Sequence, residues 1–112
     1  MELHEIEEKM REAVNKIETV GSQYAEAKAL SWLLQEQKKV VLATLMGKSA
    51  AKTVNAKELE ALQSPEFTQH LEGTKEAIGD EGRLRASWEK WKAQFEACRS
   101  LISAEKAKMN IV

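Results

Sequence analysis

Apolar residues repeat every three or four positions along the last third of this chain. The repeat, here called the C-terminal seam, consists of Leu84, Trp88, Trp91, Phe95, Cys98, Ile102 and Met109. Spacing of this kind averages 3.5 residues, which places every member on one side of a helix. Two of the three Trp and one of the two Phe lie on it. We therefore expect this helix to anchor the main core.

The first half of the chain carries a matching repeat. Its members are Leu3, Ile6, Met10, Ala13, Ile17, Val20, Tyr24, Ala27, Leu34, Val41 and Leu45. Ser31 and Lys38 are polar members of this repeat, but they do not shift its register. The same phase continues through Gly21, although a glycine inside a helix lowers helix stability by ~1 kcal/mol relative to alanine. A true break would normally reset the phase. The pattern predicts one helix over 2–47; the alternative is two helices with Ser22 as the second N-cap.

A short connector follows this first arm. Gly47 is expected to end the arm, and the connector 48–63 is expected to hold a short helix over 56–62. Thr53 or Asn55 can cap that helix. Its inward-facing residues are predicted to be Leu59 and Leu62.

The second arm is predicted to span 65–109. The triplet Ser64-Pro65-Glu66 is a helix start, with serine at the N-cap and proline at the first helical position. Its first inward residues are predicted to be Phe67, Leu71 and Ile78. Their phase slips before Leu84, which predicts a kinked but continuous helix at Gly79 and Gly82; the alternative is that the helix breaks and turns there. Two arms of equal length predict an all-α, coiled-coil-like antiparallel hairpin, folded as one domain over 1–112.

Apolar residues of the first arm also spread beyond its main repeat. A helix that is apolar on more than one face needs more than one neighbour. This predicts a homo-oligomer, or a third helix that packs back against the arm. The predicted partner or oligomer surface comprises Leu30, Trp32, Leu33, Val40 and Leu42.

Composition excludes most other classes of protein. The chain has 112 residues and one cysteine, Cys98, so no internal disulfide can form, which is typical of a cytoplasmic protein. No apolar run reaches the ~20 residues of a membrane span, and the N-terminus lacks a signal peptide pattern. His4 and His70 lie far apart, with no metal-ligand spacing around them. We expect no catalytic residues, metal, cofactor or small-molecule substrate.

Charge is patterned along the chain despite a net charge of −1. The stretches 1–20 and 64–82 are acidic, whereas 21–63 and 83–112 are basic. Basic residues on helical faces can bind phosphates, and Trp32 and Tyr24 could stack on bases if exposed. The alternative is ordinary solvated helix surface. The candidate nucleic-acid-binding residues are Lys38, Lys39, Lys48, Lys52, Arg83, Arg85, Lys90, Lys92 and Arg99.

The order of these segments resembles a family. The run 36–42, Glu-Gln-Lys-Lys-Val-Val-Leu, precedes a basic connector and the acidic helix start 61–67, Ala-Leu-Gln-Ser-Pro-Glu-Phe. Over residues 24–104 this is similar to bacteriophage recombination mediators of the UvsY type. The resemblance implies a helical oligomer in the host cytoplasm that binds single-stranded DNA, with a recombinase or single-strand-binding protein as partner.

Three functional hypotheses follow. The first is a non-enzymatic phage recombination or replication accessory protein that binds single-stranded DNA. The second is a protein–protein interaction module, such as an inhibitor, chaperone or assembly factor, without nucleic-acid binding. The third, a DNA mimic built on the acidic stretches 1–20 and 64–82, is opposed by the neighbouring basic stretches.

Overall fold

The protein is a three-helix, all-α chain. A computed structural model describes residues 2–111, with α1 spanning Leu3–Lys48, α2 Val54–Leu62 and α3 Pro65–Ile111. No strand occurs within this range. The helices α1 and α3 pack together as a hairpin, which confirms the predicted fold class. Oligomerisation stays a prediction.

The helix boundaries agree closely with the sequence pattern. α1 is continuous through Gly21, so the two-helix alternative is wrong. The side-chain oxygen of Thr53 accepts a hydrogen bond from the Ala56 amide at 3.1 Å, which makes Thr53 the cap of α2. At the start of α3, Ser64 Oγ accepts from the Phe67 amide at 3.2 Å. Each cap satisfies an amide that lacks a partner in the first helical turn.

The described chain separates into two compact units. Unit 1 comprises the described residues up to Ala25 together with those from Gly82 onwards. Unit 2 comprises Glu26–Glu81. Each unit therefore contains a segment of α1 and a segment of α3. The single domain expected over 1–112 stays a prediction.

Unit 1 has an aromatic core. Ile6, Ala13, Val20 and Cys98 are buried on the two facing repeats. The large residues of the C-terminal seam, Trp88, Trp91 and Phe95, are half-buried beside them. The seam therefore packs as predicted, although Met109 at its end is exposed.

Unit 2 packs smaller and more polar residues between its helices. Its α3 segment turns inwards Phe67, His70, Thr74, Ala77 and Glu81, and its α1 segment buries Ser31. Steps of three and four connect Phe67 to Leu84 without a slip, so the predicted phase shift is wrong. Leu71 and Ile78 do not face inwards; they are 41% and 46% exposed. α3 is helical through Gly79 and Gly82, and a bend there stays a prediction.

The short helix α2 belongs to unit 2 and is turned the opposite way from our expectation. Its buried residue is Ala61. Leu59 and Leu62, which the sequence analysis placed inwards, are 57% and 43% exposed. The reason is steric: a small alanine lets α2 approach its neighbours closely, which leaves both leucines on the outer face.

Candidate nucleic-acid interface

Four basic residues of unit 1 share one edge of α3. Each directly follows an inward position of α3, at 84, 91, 98 and 105, and the helix keeps its phase over this stretch. All four are exposed. This set, here called the basic row, consists of Arg85, Lys92, Arg99 and Lys106. At 1.5 Å per residue the row extends ~31 Å along the helix, with ~10.5 Å between neighbours.

The two arginines of the basic row make weak ion pairs within α3. Arg85 Nε lies 3.4 Å from Glu89 Oε1, and Arg99 Nη1 lies 3.6 Å from Glu96 Oε1. All four side chains are more than half exposed. Exposed pairs of this kind contribute roughly 0–1 kcal/mol. Both guanidinium groups can therefore exchange their carboxylate for a phosphate at little cost.

Lys92 belongs to the basic row and also contacts the aromatic core. Its Nζ lies 3.7 Å from the centre of the Trp88 ring, a cation–π geometry. Trp88 also packs against Tyr24, with ring centres 5.5 Å apart. Tyr24 is half-buried in this contact, so it does not meet the condition of exposure that the sequence analysis set for a base-stacking residue.

Gly21 makes the close approach of Trp88 possible. A Cβ added at Gly21 would lie 2.9 Å from Trp88 Nε1 and 3.3 Å from Trp88 Cδ1. Real Cβ atoms are not found that close to a ring atom, so only glycine fits while the indole stays in place. The helix thus accepts a residue of poor helical propensity in order to admit the ring.

The remaining predicted DNA-binding residues do not join the basic row. Lys90 belongs to unit 1 but lies over Trp91, its Nζ 5.0 Å from the ring centre. Arg83 lies seven residues before Lys90, in a different row of α3. Four others belong to unit 2: Lys38, Lys39, Lys48 and Lys52. The structure thus collects Arg85, Lys92 and Arg99, and adds Lys106.

Sequence reasoning missed Lys106 as a site residue, although a signal was present. Lys106 lies seven residues beyond Arg99, the same spacing that separates Arg85, Lys92 and Arg99. Because the seven-residue repeat of α3 is unbroken, this spacing alone places all four on one edge.

The predicted partner surface lies in unit 2 and is largely exposed. Leu30, Leu33 and Val40 are exposed, and Trp32 is exposed to 63%. Leu42 is half-buried. Trp32 therefore offers an accessible aromatic face, as the sequence analysis required of a stacking residue.

Other chemistry has little support among residues 2–111. His70 Nε2 donates to the Leu34 carbonyl oxygen at 3.0 Å, which links α3 to α1 within unit 2. No group of three or more His, Cys, Asp or Glu side chains in this range could hold a metal ion. Nor does any helix in it contain a stretch apolar enough to cross a membrane.

No family model, curated protein or solved structure matches this chain. The resemblance to UvsY-type mediators therefore stays a prediction, and function has to be argued from the geometry of the two units.

Proposed function

We propose that this chain is a non-enzymatic protein that binds single-stranded DNA through the basic row of unit 1. The observation that carries the proposal is the alignment of Arg85, Lys92, Arg99 and Lys106 on one exposed edge of a continuous helix. Four cations in a line suit a polyanion better than a compact anion.

Binding of this kind is electrostatic and independent of base sequence. Lys and Arg that neutralise phosphates release condensed counterions, so affinity falls steeply as salt rises. Arginine also offers a planar fork of donors to phosphate oxygens. Nothing in the row reads base edges, which predicts little sequence preference.

The choice of single strands over duplex DNA rests on the sequence resemblance, because a row of cations can bind any polyanion. A phage recombination role, with a recombinase or single-strand-binding protein as partner, extends the proposal and rests on the sequence resemblance alone.

The test is fluorescence anisotropy of a labelled oligothymidine titrated with the protein at two salt concentrations. For four phosphate contacts, affinity should fall roughly 50-fold between 50 and 200 mM salt. The variant Arg85→Gln, Arg99→Gln, Lys106→Gln should bind more weakly and show a salt slope smaller by about 2. Lys92 is kept because it covers Trp88.

The matched control is Lys9→Gln, Arg11→Gln, Lys16→Gln, which removes the same charge from exposed positions of α1 in unit 1. Its affinity should stay closer to that of the unaltered protein. Equal losses in both variants would show a general charge effect and contradict the basic row. Binding that ignores salt would contradict the whole proposal.

A second candidate is a protein–protein interaction module. The exposed Leu30, Trp32, Leu33 and Val40 of unit 2 favour it, since apolar surface of this kind marks interaction sites. Absence of DNA binding by the folded protein at both salt concentrations would favour this candidate over the first. The two differ further in the variant Arg85→Gln, Arg99→Gln, Lys106→Gln, which should weaken DNA binding but leave capture of a protein partner by unit 2 intact.

A further inference from the structure

Unit 2 packs Phe67 together with several small or polar side chains between its helices and leaves other large apolar side chains exposed. Ser31 is buried, and His70 and Thr74 are half-buried between the helices. Leu71 and Ile78, one position further along α3 than His70 and Ala77, are exposed. Apolar side chains that adjoin one another on a surface in this way mark a candidate interaction site.

The exposed side chains form a groove with a basic rim. Its volume is about 430 Å³. Leu71 and Ile78 supply the apolar part, and Lys38 and Lys75 supply two positive charges. The remaining lining residues are Gln35 and Thr74, so no carboxylate lines the groove. Leu71 and Ile78 lie seven residues, or ~10.5 Å, apart along α3, the span over which a docked helix places successive anchors.

The short helix α2 offers the complementary surface. Leu59 and Leu62 are both exposed. At 100° per residue they lie ~60° apart on α2, with Glu58 ~40° from Leu62, whereas the buried Ala61 lies ~100° or more from both leucines. α2 thus presents an exposed face made of Leu59, Leu62 and the carboxylate of Glu58.

We propose that α2 of one copy of this chain seats in the Lys38–Lys75 groove of a second copy. Leu59 and Leu62 would cover Leu71 and Ile78, and Glu58 would pair with Lys38 or Lys75. Because the two surfaces differ, the contact either closes reciprocally in a two-fold dimer or repeats head-to-tail into rings or filaments. This proposal does not depend on DNA binding, because all its residues belong to unit 2.

Charge and shape favour a second copy over another occupant. The groove carries two lysines and no carboxylate, and Glu58 places an exposed carboxylate beside Leu62 on α2. Glu60 lies on another face of α2, where its Oε2 accepts a hydrogen bond from Ser49 Oγ at 2.7 Å. Both apolar surfaces are exposed in the same molecule at the same concentration. Binding between two copies would cover both the groove and the α2 face. A different protein bound in the groove would leave the α2 face exposed.

The test is multi-angle light scattering of the full chain without DNA, over a range of concentrations. The unaltered protein should assemble beyond a monomer. Ile78→Asp, which spoils the groove, and Leu62→Asp, which spoils the α2 face, should each weaken assembly at least about tenfold. Circular dichroism of each variant checks that it remains helical.

Mixing the two variants gives the decisive readout. The Ile78→Asp chain retains its α2 face, and the Leu62→Asp chain retains its groove. A mixture should therefore form a dimer with one contact and nothing larger. A monomeric unaltered protein, a Leu62→Asp variant that still assembles, or a mixture that stays monomeric would each overturn the proposal. The last two results would mean that a different surface or a different protein covers the groove.

Charge exchange tests the same contact without changing apolar surface. Lys75→Glu and Glu58→Lys should each weaken assembly, and the doubly exchanged chain should recover it. Failure of the double variant to recover would exclude a Glu58–Lys75 pair. The basic-row variant in unit 1 should assemble normally, so failure of DNA binding and failure of assembly can be told apart.

Discussion

Units 1 and 2 are built from the same two helices but use them in opposite ways. Unit 1 places its large side chains between the helices, as Trp88 against Tyr24 shows. Unit 2 packs Ser31 and Thr74 inside and exposes Leu71 and Ile78. The first arrangement places aromatic rings against one another between the helices, and the second leaves branched apolar side chains on the surface.

A single edge of α3 displays the same contrast. Counting back from Arg85 in steps of seven residues gives Ile78 and Leu71, the apolar positions of this edge in unit 2. In unit 1 the equivalent positions form the basic row, Arg85, Lys92, Arg99 and Lys106. The seven-residue repeat thus determines on which edge of α3 a side chain lies. The residue type at that edge determines whether it can contact a protein partner or a polyanion.

The largest expected effect compares two tryptophans. Trp88→Ala removes a half-buried ring that packs on Tyr24 and Lys92, so the free energy of unfolding should fall by about 3 kcal/mol. Trp32→Ala removes an exposed ring of unit 2 and should change it by less than about 0.5 kcal/mol. Urea unfolding followed by circular dichroism measures both. Similar losses would mean that the two units do not differ as described.

An intermediate effect is expected at two helical glycines. Gly73 in unit 2 has no atom within 4 Å of an added Cβ, so Gly73→Ala should stabilise the protein by up to ~1 kcal/mol. Gly21→Ala in unit 1 gains the same propensity but overlaps the Trp88 ring. Overpacking costs ~1–3 kcal/mol, so the net result should be a loss of about 1 kcal/mol. Thermal unfolding midpoints that rise for both variants would show that the indole moves aside freely.

The continuity of α1 could be predicted from the sequence because its apolar repeat keeps one phase, whereas the continuity of α3 was predicted despite a phase slip that the structure does not contain. The register of α1 runs unchanged through Gly21, which a helix break would have disturbed. The capping of α3 by Ser64 was equally visible, since the Ser-Pro-Glu triplet has a local physical cause. These features depend on neighbours in the chain and need no knowledge of tertiary contacts.

The inward face of unit 2 was misjudged because hydrophobicity was given more weight than phase. Counting back from Leu84 by threes and fours leads to Glu81, Ala77, Thr74, His70 and Phe67, which lie in one register. The polar members are compatible with packing through hydrogen bonds that a sequence does not reveal. His70 bonds the Leu34 carbonyl, and Thr74 Oγ1 donates to the His70 carbonyl at 2.9 Å.

The basic row was only partly recognised for a related reason. Arg85, Lys92 and Arg99 were chosen by charge, together with six lysines and arginines that the fold places elsewhere. Charge says nothing about direction on a helix. Once the inward register of α3 is known, the edge on which each cation lies follows from its spacing.

The smallest predicted effect concerns Lys92, the member of the basic row that also contacts the core of unit 1. Lys92→Gln keeps an aliphatic stem but removes the charge 3.7 Å from the Trp88 ring centre, so the free energy of unfolding should fall by about 0.5–1 kcal/mol. Lys90→Gln is the control: its ammonium lies 5.0 Å from the Trp91 ring centre, and its loss should be smaller. Urea midpoints at fixed salt measure both variants. Equal losses would mean that the loss for Lys92→Gln is a general effect of removing a charge. A larger loss for Lys92→Gln would mean that a residue proposed to bind DNA also stabilises the packing of Trp88 on Tyr24.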